Sequence, residues 1–350
     1  MKTIRFGILG SGFMGRTHAE AIRRLPNAEL VAVHGGSRAP GLAERYGMAF
    51  EADKATLLAR PDIDAIVVTT PHHLHVEETL AALAQGKHVL VEKPLATTVA
   101  DCDQMIAGAA KHGRALGVGY QQRFRTNNVK ACELIRAGVI GQLQTVQISM
   151  PMFAGVIKAG GFGGNWAWWN DPASVGHLLN SAPHAVDLVR WFTGGEVVTI
   201  TAFCRTFLPE IEVEDTTMSL FELSSGTLCS LFSSRALPTA SFPREDFRFR
   251  IMGTKGLLDL DPTDQLKLSN EEGWSVISTQ PPINHEDSNA AFGDVRMKAY
   301  ADQMAAFIDL IEGRPSKIGQ GADGRAGVEA CVAMLQSSAE KRWIFPGAGK

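Results

Sequence analysis

Along the first 120 residues, apolar side chains fall into short unbroken runs, and between those runs they recur every three or four positions. Ile4 to Leu9 is the first run; it stops at Gly10, and residues 14–25 then follow a helical period that Pro26 closes. Leu30 to Val33, Ala65 to Thr69, His88 to Val91 and Ala115 to Gly119 repeat the short apolar run. Segments near 39–46, from Leu74 to Gln85 and over 99–112 read as helices between them, with Gly86 as a favourable stop. A run without polar alternation suits a strand covered on both faces, the situation of a parallel sheet. Strands alternating with helices of about 10–15 residues predict a doubly wound α/β domain.

The texture changes near residue 122. Strand candidates become longer and amphipathic: Leu143–Met150, Val197–Phe207, Thr216–Leu223, Thr227–Phe232, Phe247–Met252, Leu257–Leu260 and Leu266–Leu268, with few helices among them. That pattern predicts a largely antiparallel sheet. Two helical segments, about 292–312 and 323–341, close the chain on either side of the breaker Gly313-Arg314-Pro315. The expectation is two domains, residues 1–121 and 122–350: a doubly wound domain, then an α+β domain around a large, mostly antiparallel sheet. A length of 350 residues also suits two hydrophobic cores better than one.

Composition acts mainly by exclusion. Apolar residues at 45% and charged residues at 20% describe a globular chain with a sizeable core, not a disordered segment or a coiled coil. A formal charge of −3 and no block of basic residues leave no electrostatic footprint for nucleic acid or an anionic membrane, so small-molecule partners are expected. No apolar run approaches the ~18–20 residues that span a bilayer. The opening MKTIRFGILGSG is interrupted by Gly7, Gly10 and Gly12, unlike a secretory leader. Five scattered cysteines without a Cys-x-x-Cys pair suggest neither a disulfide framework nor a zinc knuckle, and fit reduced thiols in a cytoplasm.

Gly10-Ser11-Gly12-Phe13-Met14-Gly15 matches Gly-x-Gly-x-x-Gly, and it follows a strand and opens a helix. In that context Gly10 permits the tight turn, Gly12 lets the backbone approach a pyrophosphate, and Gly15 allows close helix–strand packing, while free N–H groups at the helix start receive the anion. The loop is therefore expected to belong to a Rossmann domain that binds a nicotinamide dinucleotide. The same fingerprint calls for an acidic residue ~20 positions on, to hold the adenosine ribose of NAD. The second strand ends instead at Val33-His34-Gly35-Gly36-Ser37-Arg38. Ser37 and Arg38 replace a carboxylate that would repel a 2′-phosphate, which favours NADP over NAD; Arg38 as a solvated residue, or stacked on adenine without selecting a cofactor, is the other reading.

Read with the glycine loop, Glu92-Lys93-Pro94 makes the chain resemble the glucose–fructose oxidoreductase / inositol dehydrogenase / rhizopine-catabolism family, Gfo/Idh/MocA. GILGSGFMGRTH resembles the family's opening, TTPHHLH its fourth-strand loop, GKHVLVEKPL its signature segment, and GYQQRF the entry to its second domain. GHLLNSAPHAVDLVRWFTG is similar to its substrate-site helix, and MGTKGLLDLD to a late strand pair. The resemblance spans nearly the whole chain. It implies reversible hydride transfer between a nicotinamide and a secondary alcohol of a sugar, cyclitol or related polyol, in a homodimer or homotetramer formed through the second domain's sheet.

Two residues are implied to handle the proton. Lys93 follows an apolar strand at the edge where α/β sheets bind ligands, and can donate to a substrate oxygen; without the resemblance, a surface charge paired with Glu92 is the favoured reading. His184, after Pro183, is expected in the first turn of a helix, with Asp187 on the same side and able to orient its ring. In resembling enzymes this histidine exchanges the hydroxyl proton, although a lone histidine over an apolar helix is more often structural. Four residues earlier, many relatives carry an aspartate where this chain has Asn180, which can bind a hydroxyl but cannot act as a base near neutral pH.

Thr70, Pro71 and His75 fall where the family lines the nicotinamide, and Glu92 with Lys93 completes that set. Arg123 is a candidate to meet substrate or cofactor, or to tie the domains together. Trp166, Trp168 and Trp169 form an aromatic loop suited to sugar faces or to core packing. His72, His73 and His75 lack the arrangement of a tetrahedral set, so no metal is expected. Two rival functions keep the fold: a cofactor-binding sensor without chemistry, and a lyase or glycosidase that uses its cofactor transiently.

Overall fold

The computed structural model describes residues 2–153, 170–238, 247–281 and 290–347. Trp166, Trp168 and Trp169 lie outside them. By contacts the chain forms two units, Met1–Gln121 with residues 290–325, and Gln122 onward with the C-terminal segment from Ala326.

The first unit opens with β1 (Ile4–Leu9), α1 (Phe13–Arg23), β2 (Ala28–His34), α2 (Ala39–Tyr46), β3 (Ala49–Phe50), α3 (Lys54–Ala59) and β4 (Ala65–Val68). It continues through α4 (His75–Ala84), β5 (His88–Val91), α5 (Val99–His112) and β6 (Leu116–Val118). All four residues of β4 are buried, as a strand covered on both faces requires. Strands β1 to β6 pair in parallel in the order β6-β5-β4-β1-β2-β3. Helix ends follow local chemistry. Thr98 caps α5 by accepting the Asp101 N–H at 3.1 Å, and Gly113 ends it in the left-handed conformation.

In the second unit, α6 (Thr126–Arg136), β7 (Leu143–Phe153) and α7 (Gly176–Thr193) lead into β8 (Val197–Arg205), β9 (Thr216–Leu223) and β10 (Leu228–Leu237). Then come β11 (Arg248–Gly253), β12 (Leu257–Leu260), β13 (Gln265–Asn270) and β14 (Gly273–Thr279). These strands form one sheet in the order β14-β13-β12-β11-β7-β10-β9-β8, antiparallel except where β7 meets β10. Alternation sets its two faces. Ile200, Phe221, Leu231, Ile148, Ile251 and Leu260 are buried, and α6 and α7 pack against strands of this sheet. On the other face Phe203 pairs across to Met218, and Met218 to Phe232. Phe203, Met218, Leu220, Leu228, Trp274 and Val276 are all more than half exposed. Helix α6 falls where few helices were expected; its buried Ala131, Cys132 and Ile135 are its helical period, read too weakly beside Asn127 and Asn128.

The chain does not divide by a single cut at 121/122. Helix α8 (Asp294–Ile311) packs on α1, and β15 (Gly319–Gln320) adds an antiparallel edge to β6, so both belong with the first unit. Phe307 of α8 is fully buried there, 6.5 Å from the ring of Phe6. An amphipathic period shows that a helix has an apolar face and says nothing of which core receives it. Helix α9 (Gly321–Glu340) is the last helix among the described residues.

Candidate active site

Four strand ends of the first unit carry candidate residues. β1 runs into Gly10, β2 into Gly35-Gly36-Ser37-Arg38, β4 into Thr69-Thr70-Pro71 and β5 into Glu92-Lys93-Pro94. The strands are parallel, so these ends share one edge in the order β5, β4, β1, β2. From β5 to β2 is three strand spacings, about 14 Å, and the strand order reverses at β1, the place where open α/β sheets receive ligands.

The three glycines of the loop are glycine for three different reasons. Gly10 has φ +100°, and a Cβ there would lie 2.7 Å from Thr69 Oγ1. On Gly15 a Cβ would come within 2.1 Å of the Gly10 carbonyl oxygen, so the helix is seated directly on the turn. A Cβ on Gly12 would meet only Arg38 Nη2, at 3.9 Å, so the protein leaves that side of the loop open. An open Gly12 between two obligatory ones, at the start of α1, is a cradle that fits a pyrophosphate. Ser11 and Phe13 line the space beside it, whereas Met14 packs against the buried cluster of Ala21, Met297 and Tyr300. Beside the cradle lies a cavity of ≈ 400 Å³ lined by Ser11, Gly12, Phe13, Ser37 and Arg38, and also by Arg16, Arg45 and Phe292. Three arginines line this one cavity, which gives it a positively charged wall. Only Arg38 was picked out from the sequence; Arg16 and Arg45 are surface positions on α1 and α2 until the fold brings them together.

At the other end, the loop after β5 stands on buried side chains. Glu92 is 6% exposed; its Oε1 lies 2.8 Å from His18 Nε2, and its Oε2 accepts the Lys93 N–H at 3.2 Å. Burial alone would push the Glu92 carboxyl up, but the His18 hydrogen bond, with Lys93 beside it, holds it below the usual carboxylate range. Burial pulls the Lys93 ammonium below its ordinary value, and Glu92 opposes that shift. The peptide bond to Pro94 is cis. His75 is fully buried, with Nδ1 2.8 Å from the Pro94 carbonyl and Nε2 2.9 Å from the Thr70 carbonyl. Thr70 Oγ1 donates to Glu78 Oε2 at 2.5 Å. Glu92 and His75, expected among the residues touching the cofactor, therefore support the loops from beneath, because their polar atoms are turned into the unit. Lys93 itself is only partly buried.

In the second unit, α7 carries Asn180, His184 and Asp187, four and three residues apart and so on one helix face. His184 is not in the first turn as expected: the helix begins eight residues earlier, at Gly176, and Pro183 sits inside it. Proline removes one internal hydrogen bond, but the helix start is secured from outside. The Glu214 carbonyl accepts the His177 N–H at 3.1 Å, and Glu214 Oε1 accepts the Leu178 N–H at 2.7 Å. Asn180 and His184 are 6% and 9% exposed. His177, one turn before Asn180, places Nε2 3.1 Å from Ser233 Oγ. Asp187, fully buried, receives Arg123 Nε at 2.8 Å and Nη2 at 2.6 Å. This bidentate pair locks the turn after β6 to α7. It gives Arg123 and Asp187 a shared structural task that neither the substrate nor the ring-orienting expectation anticipated.

A sequence model of the oxidoreductase family with an NAD-binding Rossmann fold, Gfo/Idh/MocA, matches residues 4–120, and one of the family's C-terminal domain matches 128–259. The chain belongs to the Gfo/Idh/MocA oxidoreductases. Among this family's curated members, it is 27% identical over 357 residues to an inositol 2-dehydrogenase of Rhizobium meliloti, covering 98% of this chain and 99% of that one. It is 26% identical to a 1,5-anhydro-D-fructose reductase of Ensifer adhaerens, over 96% of both. Among solved structures it superposes on an aldose-aldose oxidoreductase of Caulobacter crescentus, complexed with glycerol, with a TM-score of 0.80, 26% identity and coverage of 98% and 100%. A Gfo/Idh/MocA chain with this cradle is an NAD-type oxidoreductase acting on CH–OH groups. Among the described residues no three histidines, cysteines or acidic groups are clustered to hold a metal, and no helix is long and apolar enough to cross a membrane.

Proposed function

We propose that this protein catalyses reversible hydride transfer at a secondary alcohol of a sugar, cyclitol or related polyol. The observation that carries the reading is the shared sheet edge, with an open phosphate cradle at Gly12 and, two strands away, a partly buried lysine over a buried carboxylate. A bound nicotinamide would supply or accept the hydride. Lys93 would donate to the substrate oxygen and stabilise negative charge on it as the hydride moves, and His184 would exchange the hydroxyl proton. Asn180, on the His184 face of α7, would bind a neighbouring hydroxyl without taking a proton. The similarity to an inositol 2-dehydrogenase and a 1,5-anhydro-D-fructose reductase supports that substrate class. The decisive assay follows absorbance of the reduced nicotinamide with a panel of polyols and keto-sugars, beside Lys93→Ala and His184→Ala. We expect cofactor reduction in the wild type and loss of at least a hundredfold in each variant. Full rate in both variants would remove the assignment, and turnover without net cofactor change would point to transient use of the cofactor.

The arginine-lined cavity beside Ser37 supports a preference for NADP. Arg38→Ala is expected to weaken NADP binding and leave NAD binding nearly unchanged; equal losses would refute the preference. The exposed apolar face of the second unit's sheet supports a homodimer or homotetramer. The five cysteines, four of them buried, form no disulfide among the described residues, which supports a reducing, cytoplasmic setting.

A further inference from the structure

His75 opens α4, and its fully buried imidazole lies between two loops of the first unit. Nε2 is 2.9 Å from the Thr70 carbonyl oxygen, in the loop after β4, and Nδ1 is 2.8 Å from the Pro94 carbonyl oxygen, in the loop after β5. A carbonyl oxygen only accepts hydrogen bonds, and a neutral imidazole has one N–H and one bare nitrogen. At these distances both contacts are hydrogen bonds only when the ring carries two protons. With one proton, a nitrogen lone pair faces a carbonyl lone pair, and that contact has to open.

We propose that His75 is a proton-operated strap: the imidazolium ties the Thr70 and Pro94 loops together, and loss of one proton frees the Thr70 loop. The side that opens follows from burial. The Pro94 contact is enclosed, whereas the Thr70 contact is only part-buried, so water can take the place of the ring at the Thr70 carbonyl. The neutral ring therefore keeps its proton on Nδ1. The titratable groups around the ring are Glu92, Lys93, His72 and Glu78. Glu92 favours the second proton and Lys93 opposes it. His72 meets the ring edge-on, with centres 5.8 Å apart. Glu78, one turn further along α4, accepts Thr70 Oγ1, and burial pushes its carboxyl up, which weakens it as a counter-ion. Burial of His75 outweighs the two carbonyls and Glu92 and draws the ring below its ordinary value of ~6.5. The strap is therefore closed in mild acid and opens as pH rises toward neutrality. Its consequence for the reaction rests on the reading of both loops as lining the nicotinamide.

The test counts protons on the ring, without cofactor or turnover. With histidine labelled by nitrogen-15, the ring nitrogens of His75 are followed by NMR from about pH 5 to about pH 8, and the signals are assigned by their loss in His75→Gln. Two N–H groups are expected at the acid end and one, on Nδ1, at the alkaline end, with a midpoint below ~6.5. Two N–H groups at every pH, or one throughout, overturn the strap; a remaining proton on Nε2 overturns the release of the Thr70 loop. Fluorescence titration with NADH and with NADPH over the same range reads the consequence. Affinity should fall about two- to tenfold through the same midpoint, roughly the worth of one hydrogen bond. His75→Gln, whose amide cannot donate to carbonyls on opposite sides, should show the weaker affinity at every pH. A merely structural role predicts lower thermal stability in His75→Gln and a wild-type ring that does not titrate. Should His75→Gln fail to fold, the wild-type titration decides alone, with the ring assigned through the His75 backbone. A ring that titrates while both affinities stay level overturns the placing of these loops at the nicotinamide and leaves the strap standing.

Discussion

Replacing Asp187 by Asn tests whether the Arg123–Asp187 pair is the clamp that seats α7. Both side chains are almost wholly buried, 7% and 0% exposed, and two charge-assisted hydrogen bonds of 2.8 and 2.6 Å join them fork to fork. Asn is nearly isosteric, so packing is kept. It removes the negative charge, however, and turns an NH2 group toward a guanidinium that has only donors. Breaking one side of a buried pair in this way costs about 3–5 kcal/mol, because the guanidinium stays buried after losing the carboxylate it is paired with. At ~2–4 °C per kcal/mol for a unit of this size, that corresponds to a fall in Tm of about 6–20 °C. Replacing both residues, as Arg123→Met with Asp187→Leu, removes the buried charge altogether and should cost much less than the sum of the single changes. Urea titration followed by tryptophan fluorescence is the appropriate assay, since Trp191, Trp274 and Trp343 all belong to the second unit. A loss below about 1 kcal/mol for Asp187→Asn, or a double variant as unstable as the two singles added, would refute the clamp.

Gly15→Ala places a methyl 2.1 Å from the Gly10 carbonyl, so the cradle must move; dinucleotide affinity measured by fluorescence titration should fall at least tenfold, and unchanged affinity would show that the loop gives way harmlessly. Burial pushes the Glu214 carboxyl up to about 8, so the folded chain keeps a proton there that the unfolded chain releases near 4.5. Its contribution is complete below about 4.5 and is lost as pH rises through about 8. Glu214→Gln should therefore flatten the decline of Tm over that window, and a wild-type slope in the variant would contradict this. Leu220→Lys, in the middle of the exposed sheet face, should give a monomer by sedimentation, and an unchanged oligomer would place the interface elsewhere.

Much of this protein is written locally. Short β-branched apolar runs such as Ala65–Val68, set between helical periods, read as interior strands, and the spacing of Gly10, Gly12 and Gly15 states three backbone requirements at once. Those signals act between neighbours in the chain, so periodicity and turn chemistry reveal them, and the alternation along β8 and β9 likewise announced a sheet with one covered face. The start of α7 was not legible, because its cap is Glu214, 36 residues beyond the Leu178 N–H it accepts. Nor was the partnership of His18 with Glu92, separated by 74 residues, or the return of α8 to the first unit's core. Asp187 looked like a partner for a histidine one turn away, and the fold brought it an arginine from 64 residues upstream. The chain by itself determined where backbone bends, which faces are apolar and which residue types are present. Tertiary structure alone decided which charges are buried together, because desolvation has no counterpart in an isolated sequence, and it is desolvation that separates the buried Glu92, Arg123 and Asp187 from ordinary surface charges.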